Sequence, residues 1–91
     1  MTETREIIIK NKTGLHARPA ALFVQIANKF ESDITIIKED QKVNGKSIMG
    51  ILMLAAEKGA VVTIIADGDD AKEAMEELSG ILLHDIETDT L

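Results

Sequence analysis

Short runs of β-branched residues alternate along this chain with longer amphipathic stretches, and this alternation limits the fold more than any other feature. The β-branched runs have the length and composition of strands, whereas the amphipathic stretches repeat apolar residues at helical spacing. The predicted elements, in chain order, are a strand over residues 5–10, a helix over 17–30, strands over 33–38 and 41–44, a helix over 47–56, a strand over 60–66 and a last helix capped by Asp69 or Asp70. This β-α-β-β-α-β-α order predicts a two-layer α+β domain with an antiparallel sheet.

The core of such a domain must be aliphatic. The 91 residues include no cysteine, tryptophan or tyrosine, and Phe23 and Phe30 are the two aromatic residues. The length predicts a single domain over residues 1–91. The composition excludes disulfides, thiolate metal sites and a thiol nucleophile, and it leaves almost no platform on which nucleic-acid bases could stack. The buried stripe of the last helix is expected to contain Ala71, Ala74, Met75, Leu78, Ile81 and Leu82.

The charge of the chain restricts its partners. Ten basic and sixteen acidic residues give a formal net charge of −6. A chain this acidic is repelled by nucleic-acid phosphates and anionic lipid unless basic groups cluster locally. Residues 1–6 are polar and contain no apolar signal region, and no apolar run has the length of a membrane span. We therefore expect a cytoplasmic protein that neither inserts into membranes nor binds nucleic acid directly.

His16 is the first candidate for chemistry, because it stands directly before a helix that Pro19 opens. At that position several backbone N–H groups have no intrahelical partner, and the positive end of the helix favours anions. Arg18 adds a guanidinium that can bind two phosphate oxygens. The residues thus suggest a phosphoryl group on His16, held by Arg18 and by the backbone N–H groups of Ala17 and Arg18. The alternative is that His16 only caps the helix and Arg18 is solvated, whereas His84 is expected to interact with the negative end of the last helix.

Ser47 is the second candidate. It is expected to cap the helix over residues 47–56, after the Asn44–Gly45 turn, and Gly59 is expected to end that helix. A phosphate on Ser47 would meet the positive helix end and Lys46, and it would place about two negative charges beside any docking surface.

The helix that follows Ser47 is apolar nearly all round. Ile51, Leu54 and Ala55 are expected to face the sheet, which leaves Ile48, Met49 and Leu52 on another face. That face is either a partner interface or ordinary coverage of the core by large apolar residues. Gly50 weakens the helix and is compatible with the close approach of a partner backbone.

Other classes of site have less support from the sequence. No His/carboxylate cluster has metal-ligand spacing, no glycine-rich phosphate loop is present and no Ser-His-Asp set is suggested. A ligand-sensing α+β domain without phosphotransfer remains an alternative, whereas an RNA-binding module is disfavoured by the acidity and the missing aromatic residues.

Two motifs resemble those of the HPr family, the histidine-containing phosphocarriers of the bacterial phosphoenolpyruvate-dependent phosphotransferase system. They are Gly-Leu-His-Ala-Arg-Pro-Ala at residues 14–20 and Asn-Gly-Lys-Ser-Ile-Met-Gly at residues 44–50, and the resemblance spans nearly the whole chain. It implies an open-faced β-sandwich whose four-stranded antiparallel sheet has the order 1-4-2-3, with three helices on one face.

The resemblance also implies roles for the candidate residues. His16 would accept a phosphoryl group on Nδ1 from enzyme I and pass it to a sugar-specific enzyme IIA, with Arg18 supporting the phosphate. Ser47 would be phosphorylated by an ATP-dependent HPr kinase/phosphorylase, and the serine-phosphorylated form serves in some lineages as corepressor for a catabolite-control transcription factor. The docking surface for enzyme I and enzyme IIA would be formed by Ile48, Met49 and Leu52. Such a protein is a stoichiometric carrier rather than an enzyme, needs no metal or cofactor and is expected to be a monomer.

Paralogues within the family provide an alternative function, since a nitrogen-type or mainly regulatory protein would control metabolism or transcription rather than sugar uptake. The resemblance implies that the catabolite-repression paralogue lacks the active histidine, so His16 argues against that identity, whereas the nitrogen-type paralogue shares the histidine motif. Gly80 and the tail over residues 83–91 are less typical of the family and bear on the length of the last helix.

Overall fold

The computed structural model describes residues 1–12 and 14–83, which form four strands and three helices. These are strand β1 (Thr2–Ile8), helix α1 (Ala17–Ala27), strands β2 (Asp33–Lys38) and β3 (Gln41–Asn44), helix α2 (Ile48–Leu54), strand β4 (Val61–Asp67) and helix α3 (Ala71–Leu83). The predicted element order is therefore confirmed. His84 and the tail beyond it lie outside the described residues, as does Thr13.

The four strands form one antiparallel sheet with the order β1-β4-β2-β3, as the family resemblance implied. Ile7 pairs with Val62, and Ile36 pairs with Ile64, so β4 lies between β1 and β2. Alternate residues of β2 and β4, together with Ile7 of β1, are buried on the face that the helices cover. Ile8 and Val61, which pair with each other, are exposed. The sheet is therefore covered by helices on one face, as in an open-faced sandwich.

The core is aliphatic, as the composition predicted, and Phe23 of α1 is its fully buried aromatic residue. All six residues of the predicted α3 stripe are buried. Within the described part of the chain, no helix is long and apolar enough to cross a membrane.

Strand β1 begins and ends earlier than the predicted range of 5–10. Thr2 pairs with Asp67 at the end of β4, and the Thr2 hydroxyl also donates to the Asp67 carboxylate at 2.9 Å. At the other end, the Lys10 N–H donates to the Leu82 carbonyl of α3 at 2.9 Å. Pairing with β4 thus extends the strand toward the N-terminus, whereas Lys10, the last residue of the predicted strand, is hydrogen-bonded to α3 instead of to a strand.

Helix α2 is shorter than predicted and ends at Leu54, because Ala55 adopts a left-handed conformation with φ of 51°. Side chains of the β2–β3 hairpin bind the last carbonyls of α2, since Gln41 Nε2 donates to Met53 at 3.2 Å and Lys38 Nζ donates to Leu54 at 3.3 Å. Two expectations are thereby wrong: Ala55 is exposed rather than packed on the sheet, and Gly59 lies in the next turn rather than at the helix end. Helix α1 likewise ends at Ala27 rather than residue 30, with Asn28 as its C-cap.

The carboxylate of Asp70 fastens the segment before β2 to the start of α3. It accepts hydrogen bonds from the backbone N–H groups of Glu31 at 2.9 Å and Ser32 at 3.0 Å, and from the Ser32 hydroxyl. The Ser32 hydroxyl is the largest cause that lowers the pKa of Asp70 from its ordinary value of 3.8, followed by the Glu31 N–H. The carboxylate therefore binds residues 31 and 32 in its ionised form.

Candidate functional site

His16 occupies the N-cap position of α1 and is exposed. Its backbone is extended, with φ of −87° and ψ of −165°, and its carbonyl accepts the first helical hydrogen bond from the Ala20 N–H at 2.9 Å. The imidazole itself makes no capping hydrogen bond. His16 is thus an N-cap only through its backbone, and its ring nitrogens are not used to satisfy the helix end.

The loop before His16 is fixed against the segment that follows α2. Gly14 has φ of +75°, and a Cβ at this position would lie 2.4 Å from the Ala56 carbonyl oxygen and 2.7 Å from the Glu57 Cα. Leu15 is buried, and its N–H donates to the same Ala56 carbonyl at 2.8 Å. The close contact at Gly14 and the hydrogen bond at Leu15 therefore determine where His16 stands relative to residues 55–58.

An open depression beside His16 lies between these two chain segments. Its lining consists of Lys12, Leu15, His16, Leu52, Ala55, Ala56, Glu57 and Lys58. Sequence patterns did not identify Lys12, Glu57 or Lys58 as site residues, because the two segments are far apart in the chain. They meet through long-range backbone pairing that includes Ile8 with Val61, where β1 ends and β4 begins. A strand-pairing prediction would have been the one signal able to bring them together.

Arg18 is exposed in the first turn of α1, between the exposed Ala17 and the buried Pro19. It does not belong to the lining of the depression. The cationic residues around His16 therefore come from two places: Arg18 lies in the first turn of α1, and Lys12 and Lys58 line the depression.

Ser47 is the N-cap of α2, as predicted, since its hydroxyl oxygen accepts a hydrogen bond from the Gly50 N–H at 3.0 Å. Lys46, which we expect to meet a phosphate on Ser47, donates from its ammonium to the Phe30 carbonyl at 2.7 Å in the unmodified protein. Gly50 faces this chain's own β3 rather than a partner, since a Cβ there would lie 3.3 Å from both the Asn44 oxygen and the Val43 Cβ.

The exposed side of α2 is apolar. Ile48 and Leu52 are 40% and 39% exposed, and Met49 and Met53 are each 65% exposed; we call these four residues the α2 surface. The exposure of Ile48, Met49 and Leu52 agrees with the sequence analysis, which overlooked Met53. Because Leu52 also lines the depression beside His16, the α2 surface is continuous with the surroundings of the histidine.

Within residues 1–12 and 14–83, the structure brings together no group of three or more His, Asp or Glu side chains that could hold a metal ion.

The fold and site define a class of small α+β domain with an exposed histidine at the start of a helix and an apolar helix face beside it. The family model described as the PTS HPr component phosphorylation site matches residues 3–83. The chain belongs to the HPr family.

Several members of known name or structure are similar to this chain. The HPr-like protein Crh of Bacillus subtilis is 49% identical over 82 residues, which cover 90% of this chain and 96% of that protein. The crystal structure of a phosphocarrier protein HPr from Bacillus anthracis str. Ames superposes with a TM-score of 0.86 at 48% identity, covering 89% of this chain and 96% of the other. A crystal structure of Bacillus subtilis Crh, described as a swapped, intertwined dimer, gives a TM-score of 0.72 at 51% identity and covers 86% and 90% of the two chains.

Proposed function

We propose that this protein is a phosphocarrier of the phosphoenolpyruvate-dependent sugar phosphotransferase system, which accepts a phosphoryl group on His16 from enzyme I and passes it to enzyme IIA. The observation that carries the proposal is the exposed His16 imidazole, which makes no capping hydrogen bond at the positive end of α1. Such a ring can act as a nucleophile, and the helix end attracts the anionic group that it receives.

We propose that the phosphoryl transfer to His16 uses the imidazole itself and the groups at the start of α1. The Nδ1 lone pair of His16 attacks the phosphorus, the bond between phosphorus and the donor breaks, and the phosphoryl oxygens bind the N–H groups of Ala17 and Arg18 and the Arg18 guanidinium. The product is a phosphohistidine that the next protein consumes. The protein is accordingly a stoichiometric carrier rather than an enzyme, and it uses no metal or cofactor.

Incubation with enzyme I and labelled phosphoenolpyruvate tests this proposal. We expect one acid-labile phosphate per chain, mapped to the peptide that contains His16 and absent from His16→Ala. Ser47→Ala is the matched control and should be labelled like the wild type. An unlabelled wild type, or a His16→Ala variant that is labelled fully, would contradict the proposal.

We further propose that Ser47 is phosphorylated by an ATP-dependent HPr kinase/phosphorylase and that this modification opposes the transfer. A phosphate there adds about two negative charges beside the α2 surface, on which we propose that enzyme I and enzyme IIA dock through Ile48, Met49 and Leu52. Ser47→Asp should therefore slow labelling by enzyme I relative to Ser47→Ala, and equal rates would count against this role.

The same proposal leads to an expected cellular location and oligomeric state. We expect a cytoplasmic protein, because enzyme I and enzyme IIA would be its partners, and a monomer in which residues 1–91 form one HPr domain. Such a carrier presents one small face, containing His16 and the α2 surface, to each partner in turn.

A second candidate function is that of a regulatory or nitrogen-type HPr paralogue that controls metabolism or transcription, for instance as the serine-phosphorylated partner of a catabolite-control transcription factor. The 49% identity to Crh over 90% of the chain favours this candidate. It predicts that His16 passes no phosphate to a sugar-specific enzyme IIA, whereas the first proposal requires that transfer. For a regulatory protein that acts through its serine, we also expect Ser47 to be labelled by HPr kinase and ATP.

A further inference from the structure

The depression beside His16 is lined by three charged residues that belong neither to the two family motifs nor to the candidate residues of the sequence analysis. Lys12 and Lys58 are both exposed and line it from different chain segments, and His16 is part of the same lining. Glu57 is the acidic residue of the lining. With a neutral imidazole, the formal charge of this lining is positive, although the chain as a whole carries −6.

Backbone hydrogen bonds join the two chain segments from which the lysines project. The Ile9 N–H donates to the Ala60 carbonyl and the Gly59 N–H donates to the Ile9 carbonyl, both at 2.9 Å. Together with the Leu15 bond to Ala56, these bonds join the segment that contains Lys12 to the segment that contains Lys58. The positions of both Cα atoms relative to His16 are therefore fixed by the fold.

We infer that Lys12 and Lys58 form a second phosphoryl-binding region beside His16, distinct from the first turn of α1, and that they draw the anionic group of the donor to the imidazole. An exposed ammonium in an open depression interacts over several ångströms with a phosphoryl group, and salt screens this interaction. Glu57 acts against them, so the rate of phosphorylation depends on all three charges and on the sign of each. This inference rests on the proposed role of His16 as phosphoryl acceptor.

Phosphoramidate provides a donor that needs no protein partner. The imidazole nitrogen of His16 attacks its phosphorus, the phosphorus–nitrogen bond of the donor breaks, and the nitrogen leaves as ammonia, which takes up the proton that the ring releases. The rate at which the His16 peptide gains phosphate then reports on the surroundings of the imidazole without a contribution from partner docking, and mapping the peptides separates His16 from His84.

The test compares variants that remove positive charge, keep it or remove negative charge, because these should change the rate in different directions. At low ionic strength, Lys12→Gln/Lys58→Gln should lower the second-order rate constant with phosphoramidate about fivefold, and 0.5 M salt should remove most of the difference. Lys12→Arg/Lys58→Arg should restore the wild-type rate, and Glu57→Gln should raise it. Lys72→Gln, a neutralised exposed lysine on α3, is the matched control and should react like the wild type.

Phosphorylated enzyme I is the second donor, and it separates this inference from the proposed function. If both hold, the double glutamine variant raises the KM for phosphorylated enzyme I while kcat stays within about twofold. If enzyme I labels nothing but the charge dependence with phosphoramidate appears, the inference stands and the carrier function fails. The inference is overturned if the double variant matches the wild type with phosphoramidate, if Lys72→Gln slows the reaction equally, or if only the reaction with enzyme I responds, because the lysines would then bind the protein rather than the phosphoryl group.

Discussion

Gly14 is the residue on which the placement of His16 depends most. Its positive φ is strained for other residues, and its Cα lies so close to the Ala56 carbonyl that no side chain fits between them. This contact holds the loop of His16 against the segment that contains Lys58. Because it requires a residue without a Cβ, the geometry of this side of the candidate site depends on Gly14.

Gly14→Ala should therefore lower the free energy of unfolding by at least about 1–3 kcal/mol, the cost of the left-handed backbone alone. Gly80→Ala is the matched control, because Gly80 lies inside α3 and a Cβ there would meet nothing within 4 Å. That variant should be more stable than the wild type by about 0.5–1 kcal/mol. Urea unfolding measures both, and equal effects at the two glycines would refute the role given to Gly14.

Asp70 gives the stability of the protein an acid dependence. Because hydrogen bonds from Ser32 and Glu31 lower its pKa from 3.8, the stabilisation is complete above the unfolded value and is lost as pH falls through the folded one. Asp70→Asn should be less stable than the wild type at neutral pH, and the difference should shrink as the solution is acidified below pH 3.8. Asp69→Asn, which changes the neighbouring exposed carboxylate, should follow the wild-type pH profile in urea unfolding measured at several pH values. A pH-independent difference for Asp70→Asn would contradict this account.

At the scale of elements, α2 is a helix of seven residues that needs its cap. Ser47→Ala removes the bond to the Gly50 N–H and should destabilise the protein by about 1 kcal/mol, whereas Ser47→Asp retains a capping oxygen and should not. Chemical denaturation compares the two. Equal losses of stability in the two variants would contradict the capping role given to the oxygen at this position.

The two sides of α2 should respond differently to truncation. Ile51 is fully buried, so Ile51→Ala should cost about 2–5 kcal/mol of stability. Met49 is 65% exposed, so Met49→Ala should leave the free energy of unfolding within about 0.5 kcal/mol and instead raise the KM for phosphorylated enzyme I. A Met49→Ala variant with wild-type KM would remove this residue from the proposed docking surface.

The elements could be predicted from sequence because strand and helix periodicities are local, and so could the cap at Ser47 and the buried stripe of α3. The ends of the elements were less predictable, since they depend on distant partners. Helix α2 stops at Leu54, where Lys38 and Gln41 of the β2–β3 hairpin bind its last carbonyls. Strand β1 begins at Thr2 because β4 extends to Asp67. For the same reason, the motif around His16 was visible in the sequence, whereas the lysines beside it were not.

At the scale of the molecule, the described residues of one chain make the contacts of the fold without a second copy. Its radius of gyration is 11.7 Å, close to the value of about 12 Å that a single domain of this length should have. All seven residues of β1 pair with β4 of the same chain, and Arg5 of β1 donates to the Ser79 hydroxyl of α3 at 3.1 Å. These contacts satisfy β1 within one copy of the chain.

We accordingly predict a monomer in solution, although the related Crh was crystallised as a swapped dimer. Light scattering at micromolar concentration should give a mass near 9.9 kDa. A mass of twice that value, independent of dilution, would show that the chain forms a stable dimer and would overturn the prediction.

The central claim is that phosphate on His16 is passed on rather than merely held, and a chase experiment measures this directly. The protein is labelled by enzyme I and phosphoenolpyruvate, separated from both, and mixed with enzyme IIA proteins. We predict that the label leaves His16 and appears on an enzyme IIA much faster than His16 loses phosphate to water, with His16→Ala never labelled. Label that stays on His16, or that is lost to water at the same rate whether or not enzyme IIA is present, would contradict the account.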